Sequence, residues 1–259
     1  MIKIITASFR RLLFCIIKLK NHMTIFPENV STYGQDIDNL FWLILVFASI
    51  AFVISLFVLL YPLIKYSSKK VKRAEYITGE KRKHFKWITY ALVALLLSDF
   101  VILYVEHDTW GNIESVPAKA DVHVGIIARQ WNWIFVYPGP DGVLGTSDDV
   151  YVDEMNSSLH VPINENIVFE LRSQDVIHSF FLANARLKQD ALPGRTVMRW
   201  FNITKPGKYD ISCTQICGIL HSKMRNYVLA ETPEQYKHFT DSLYNANKPA
   251  VTIAAPTTK

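Results

Sequence analysis

The chain has 259 residues, half of them hydrophobic, and a formal net charge of +5; that is room for one substantial domain and a further segment. The positive charge is local: residues 1–105 carry 14 Lys and Arg against 6 Asp and Glu, and residues 106–259 carry 14 against 17. The basic balance therefore gives no case for a nucleic-acid partner.

Residues 1–40 read as a leader and an outer N-terminal segment. Residues 1–22 are basic with a short apolar stretch, as in a signal-like leader. Met23 is an alternative start, because Met23-Thr24-Ile25-Phe26-Pro27-Glu28 resembles a mature beginning. Cys15 follows Leu12-Leu13-Phe14, a loose lipoprotein-like pattern in which Phe14 is bulkier than the small residue required. A short helix is expected in the polar stretch 23–40.

Residues 41–105 predict a transmembrane helical hairpin. Residues 41–61 form an apolar run without a charge, and 87–105 form a second, interrupted only by Asp99. Each is long enough to span a hydrocarbon core as a helix. Asp99 lies in the outer half of its span, where a polar neighbour or water can meet it. The loop 66–86 carries Lys69, Lys70, Lys72, Arg73, Lys81, Arg82, Lys83 and Lys86. Short basic loops stay in the cytoplasm, so both ends of the hairpin, and everything after it, are expected outside.

A linker over 106–120 contains Gly111 and Pro117. Beyond it, a domain over 121–239 reads as nearly all strand. Segments 123–128, 131–137, 166–172, 196–202, 209–213 and 226–231 combine alternation with β-branched and aromatic residues. Turn signals separate them at Pro138-Gly139-Pro140-Asp141-Gly142, Pro193-Gly194 and Pro206-Gly207. Short strands at this spacing suggest a sandwich or barrel. The acidic loop 139–149 departs from the EF-hand pattern and is read as a hairpin loop, with calcium as the alternative. A terminal helix is expected over 232–247, and the tail over 240–259 ends rich in Pro, Ala and Thr.

The run Cys213-Thr214-Gln215-Ile216-Cys217-Gly218-Ile219-Leu220-His221-Ser222-Lys223-Met224 carries the chemistry. It places two thiols, an imidazole and a thioether within a short stretch, and His178 supplies a second imidazole upstream. Thiolate and thioether with imidazole select copper over harder metals. Two bridging thiolates, with one His and one weak ligand for each metal, suit two copper ions. Three other readings use the same residues: a Cys213–Cys217 disulfide outside the cytoplasm, a zinc site of His178, Cys213, Cys217 and His221 that leaves Met224 without a role, or a buried pair of ordinary Cys.

In order along the chain stand a two-span hairpin, Arg129-Gln130-Trp131-Asn132-Trp133, Asp175-Val176-Ile177-His178-Ser179-Phe180, Lys188-Gln189-Asp190-Ala191-Leu192-Pro193-Gly194-Arg195, and the Cys/His/Met run. This set resembles subunit II of the bacterial haem–copper cytochrome c oxidases from residue 23 to about 239. The resemblance implies a cupredoxin-like Greek-key β-barrel after the hairpin, holding the binuclear copper centre CuA. It implies side-chain ligands from His178, Cys213, Cys217, His221 and Met224, and a backbone carbonyl ligand at Gln215. The family usually has Glu at the Gln215 position, where the carboxylate also binds magnesium against subunit I. An amide oxygen is a weaker ligand for a hard cation, which puts that magnesium in doubt. The resemblance further implies that Trp131 is where electrons enter; a pair of core aromatics at strand spacing is the alternative for Trp131 and Trp133.

The implied function is electron transfer from cytochrome c through CuA to haem in subunit I, where oxygen is reduced to water. The implied partners are subunit I, other oxidase subunits, cytochrome c and the lipid bilayer. The implied location is a bacterial plasma membrane, multi-pass, with the CuA domain on the periplasmic side. The sequence contains no Cys-x-x-Cys-His, so electrons come from a haem on another chain. A quinol oxidase subunit II would resemble this fold but lack the copper ligands. A membrane-anchored copper chaperone would use Cys213 and Cys217 with a His, but would show alternating helices and strands.

Overall fold

The computed structural model describes residues 26–247, except 68, 71–72, 74–77, 83–84 and 118. The expectations for the leader, Cys15, the start at Met23 and the tail beyond 247 lie outside the described residues. Two compact units form: one is Gln35–Ser115, and the other joins the segment up to Gly34 with the chain from Val116 onward.

The first unit holds helices α1 (Gly34–Lys65) and α2 (Lys86–Glu114), of 32 and 29 residues. At 1.5 Å per residue these are about 48 and about 44 Å long, more than a hydrocarbon core of about 30 Å. Large apolar side chains are exposed along both, among them Phe52, Leu59, Leu63, Phe100 and Leu103. Helices apolar all round need a solvent other than water. At the basic end of α1, Lys65 Nζ lies 5.2 Å from the ring centroid of Tyr61 and 5.4 Å from that of Tyr66. Such amphipathic side chains suit a membrane interface.

Two details differ from the expectation. No separate helix precedes the first span among the described residues; α1 begins directly at Gly34. Most of the expected linker is helix, because α2 continues past residue 105 to Glu114. Gly111 does not break it, and a Cβ there would meet no atom within 4 Å; an isolated helical glycine weakens a helix without ending it.

The second unit contains β1 (Val122–Arg129), β2 (Asn132–Tyr137), β3 (Val150–Val152), β4 (Ser158–Pro162), β5 (Ile167–Ser173), β6 (His178–Leu182), β7 (Leu187–Ala191), β8 (Val197–Phe201), β9 (Gly207–Cys213) and β10 (Arg225–Glu231). One sheet runs β3-β2-β1-β5-β8 and the other β4-β10-β9-β6-β7. β1 pairs with β5, and β4 with β10, in parallel; the remaining pairs are antiparallel. This is the cupredoxin-like domain expected from the sequence, built as two facing five-stranded sheets. Phe180 of β6 meets Phe169 of β5 at 5.6 Å between centroids and Trp133 of β2 at 5.4 Å, so aromatic side chains fill the space between the sheets. Tyr137 is buried in the same core, and its hydroxyl accepts the His160 N–H at 2.8 Å, pinning β2 to β4.

Segment 26–33 belongs to this β unit. Val30 is buried; its N–H donates to the Asn184 carbonyl at 3.0 Å, and its carbonyl accepts the Thr204 N–H at 2.7 Å. Ser31 bridges Ile203 in antiparallel fashion, and Tyr33 packs edge-on against Trp200. Glu28 forms an ion pair with Lys205. At the other end, α3 (Pro233–Ala246) starts with a capping box: Thr232 Oγ1 accepts the Gln235 N–H, while Gln235 Oε1 accepts the Thr232 N–H. The helix crosses the boundary expected at 239/240. Phe239 stacks on His160 with centroids 3.8 Å apart, and the Tyr244 hydroxyl donates to the Pro138 carbonyl at 2.6 Å.

The 139–149 loop joins β2 to β3 as a hairpin. Its carboxylates serve the loop itself: Asp148 Oδ1 accepts the Thr146 hydroxyl at 2.6 Å, Asp149 Oδ2 the Gly145 N–H at 2.7 Å and Asp141 Oδ1 the Val143 N–H at 2.8 Å. A Cβ at Gly139 would fall 2.0 Å from Asp148 Oδ2, so the turn requires glycine there. Leu144 folds back onto Ile127, Ile134 and Val136.

Candidate metal centre

Strand register positions the donors. β6 and β9 are neighbours, with Phe180 opposite Cys213. His178 opens β6 and Cys213 closes β9, so both lie at one end of the sheet. The chain then loops out and returns as β10. The loop is closed by Cys213 N–H to the Met224 carbonyl at 3.2 Å, and anchored to β6 by Thr214 N–H to the Ser179 carbonyl at 3.1 Å. A short 3₁₀ turn (His221–Lys223) lifts His221 back toward the thiols.

The six predicted metal residues converge. Cys213 Sγ and Cys217 Sγ are 3.9 Å apart and not bonded to each other. His178 Nδ1 is 3.9 Å from Cys213 Sγ, and His221 Nδ1 is 3.5 Å from Cys217 Sγ. Met224 Sδ lies 3.9 Å from Cys217 Sγ, and the Gln215 carbonyl lies 3.2 Å from Cys213 Sγ. The donor atoms of His178, Cys213 and Cys217 all fall within 4.8 Å of one another. Cys213, Cys217, Met224 and His178 are buried, and the Gln215 side chain is exposed.

The electrostatics favour a cation in this space. Burial alone would push the Cys213 thiol up, but hydrogen bonds, first from His178 and then from the Ser179 and Gln215 backbone region, hold it below its ordinary value. Burial pushes the Cys217 thiol up, and the negative charge of Cys213 pushes it further. Two adjacent thiolates repel, and bound metal removes that penalty while keeping both deprotonated. The donor set therefore fits soft copper: two thiolates, two imidazoles, a thioether and a carbonyl.

Asp175 orients one imidazole. Its Oδ1 lies 2.8 Å from His178 Nε2, which leaves Nδ1 to face the thiols. A carboxylate on the far nitrogen of a ligating His sets tautomer and ring direction. Burial would lower the His178 value, but hydrogen bonds to Cys213 and Asp175 raise it. Trp133 backs the same ring, with centroids 6.2 Å apart.

The two tryptophans separate in the fold. Trp133 is fully buried in the core. Trp131 sits in the β1–β2 turn rather than on a strand, and is half-buried. A Cβ at Gly218 would lie 3.1 Å from both Trp131 Cζ2 and Nε1. The indole thus rests on the backbone immediately after Cys217, which a side chain at 218 would prevent. Gln130, Asp175 and Gly218 carry no ligand signature of their own in the sequence. The only signal for them was position: one residue before Trp131, three before His178 and one after Cys217. Asp190 accepts the Ser179 hydroxyl at 2.6 Å, and Asp153 pairs with Arg129 at 2.8 Å.

Residues 122–230 match the family model described as cytochrome c oxidase subunit II, periplasmic domain. The "alternative cytochrome c oxidase subunit 2" of Bradyrhizobium diazoefficiens is 29% identical over 229 residues, covering 79% of this chain and 78% of that protein. Cytochrome c oxidase subunit 2 of Thermostichus vulcanus is 38% identical over 128 residues, covering 49% of this chain and only 35% of that longer protein. Among solved structures, the periplasmic domain of subunit II of cytochrome oxidase (CoxB) of Bradyrhizobium japonicum is 26% identical, covers 51% of this chain and 99% of its own, and superposes with a TM-score of 0.46. The matched domain holds the converging Cys, His and Met donors and follows two apolar helices in the same chain: residues 122–230 carry the periplasmic domain of the cytochrome c oxidase subunit II family, and the chain as a whole is similar to such subunits.

Proposed function

We propose that the chain is the electron-transfer subunit of a cytochrome c oxidase. It accepts electrons from cytochrome c at a binuclear CuA centre and passes them to haem in subunit I. One observation carries the reading: two unbridged thiols 3.9 Å apart, with an imidazole Nδ1 beside each. Cys213, Cys217, His178, His221, Met224 and the Gln215 carbonyl would hold the copper pair. When bound, the copper pair takes up and releases one electron, sharing the charge over two metals and two thiolates. The chain's own contribution is rigidity. β6 and β9 carry His178 and Cys213, the loop from β9 to β10 carries the other donors, burial keeps water away, and Asp175 holds His178. Trp131, against Gly218, is the proposed point of electron entry. No magnesium is assigned, because the exposed side chain at 215 is an amide.

The two apolar helices and the periplasmic-domain family fit membrane anchoring. We propose that both helices cross a bacterial plasma membrane. The loop between the helices is basic, and short basic loops stay in the cytoplasm, so both outer ends of the hairpin and the β unit are proposed to lie on the periplasmic side. Subunit I and other oxidase subunits would cover part of the apolar helix surface.

The test is copper stoichiometry and EPR on the full chain in detergent. The full chain is required because segment 26–33 packs into the β unit. Two coppers sharing one delocalised unpaired electron are expected. A single localised Cu(II), or a Cys213–Cys217 disulfide without stable copper, would sink the reading and favour a copper chaperone.

A further inference from the structure

We propose that Gln130 is a positioning residue: its backbone and side-chain amides hold Trp131 against the copper-ligand loop and so set the contact through which the electron enters. The proposal rests on Trp131 being the entry point.

Gln130 and Trp131 form the turn between β1 and β2. A turn at a sheet end is free to move unless something ties it. Gln130 provides two ties. Its N–H donates to Asp175 Oδ2 at 2.6 Å, and its Nε2 donates to the Cys217 carbonyl at 2.7 Å. The other oxygen of Asp175 meets His178 Nε2 at 2.8 Å. One residue therefore links the turn to both arms of the metal site, through Asp175 to His178 and directly to Cys217.

Trp131 has no such tie of its own. Its Nε1 is buried and has no hydrogen-bond partner among the described residues. The indole is located by packing and by its neighbour. The packing surface is Gly218, where a Cβ would stand 3.0 Å from Gln130 Nε2 and 3.1 Å from the indole. Gly218 also has φ +125°, a conformation that favours glycine. The amide suits its place because it donates to a carbonyl. A carboxylate there would set acceptor against acceptor, and an apolar side chain would leave the Cys217 carbonyl unpaired.

The step itself moves one electron: the ferrous haem of the donor becomes ferric and the copper pair gains that electron, with no bond or proton changing place. The experiment uses the full-length copper-loaded chain in detergent, with saturating reduced c-type cytochrome in stopped flow. Gln130→Met keeps length and volume without the donor, and Gln130→Ala removes the side chain; Trp131→Ala is the reference. Both Gln130 variants are expected to slow electron uptake within the complex by about tenfold, since small misplacements of a reacting contact are costly. Copper content, EPR signal and reduction by hexaammineruthenium(II), which has no need of Trp131, should match the native chain. A native rate in Gln130→Met, with Trp131→Ala slow, overturns the proposal and leaves the entry point standing. Slowing by Ala that Met restores reduces Gln130 to a space-filler and overturns it as well. A native rate in Trp131→Ala overturns both. Should Gln130→Ala fail to fold, Gln130→Met decides alone.

Discussion

At the scale of residues, the proposed copper donors and their supports separate cleanly. Met224 is 1% exposed, so burial alone would explain a core role for it. Its sulfur nevertheless lies 3.9 Å from Cys217 Sγ. Met224→Leu conserves volume, and the apo chain should lose less than about 1.5 kcal/mol in denaturant unfolding. The copper EPR spectrum and reduction potential should still change; an unchanged spectrum would make Met224 packing only. Asp175 acts at one remove. Asp175→Ala frees His178 Nε2 and should weaken copper binding about 10- to 100-fold in competition with a chelator, as loss of such a partner usually does. Unaltered affinity would show that Trp133 and the β6 register orient the ring without it. The proposed ligands stand out in the sequence because five of the six fall in one short run. Gln130 and Asp175 were not legible as a pair, because the hydrogen bond that joins them spans 45 positions and exists only once β1 and β6 are brought to the same end of the domain.

Elements were legible where periodicity and composition agreed. Strands β1, β2, β5, β8, β9 and β10 alternate or are rich in β-branched and aromatic residues, which marks them in the sequence. The others lack that signal. β3 has three residues and β4 ends at Pro162. β7, Leu187–Ala191, has its apolar residues only at the ends and lies at a sheet edge. β6, His178-Ser179-Phe180-Phe181-Leu182, does not alternate and is nearly all buried, so it gives no period-2 signal. The segment before α1 is hidden for another reason: residues 26–33 are polar on average, and Val30 and Tyr33 are its only buried hydrophobic residues. Val30→Ala in the full chain should therefore destabilise the β unit by about 2 kcal/mol, the cost of uncovering a buried aliphatic side chain and leaving a void. Thermal unfolding followed by β-sheet circular dichroism measures it. No change in midpoint would mean that the segment rests on the domain without stabilising it.

For the whole molecule, charge is divided as the proposed function needs. The 14 Lys and Arg against 6 Asp and Glu of residues 1–105 include the loop between the helices, and the 17 Asp and Glu against 14 Lys and Arg after 105 leave the part with the candidate metal centre negative. A net field acts beyond any one pair, so Asp153 and Asp190 contribute to it although each is tied internally. Contact is a separate matter. Ile216 and Ile219, on the ligand loop, are 82% and 92% exposed, and such side chains gain from burial against a partner surface. Opposite charge should then govern how fast a basic cytochrome arrives, and apolar contact how well it stays. Raising ionic strength from low to physiological should slow second-order reduction by a basic cytochrome about tenfold or more. The first-order uptake at saturation should hardly move, because Trp131 and the donors beneath it are screened little. Stopped flow over a salt series separates the two rates. A second-order rate indifferent to salt would assign recognition to the exposed isoleucines, and a first-order rate that falls with salt would mean that the docked geometry itself depends on charge.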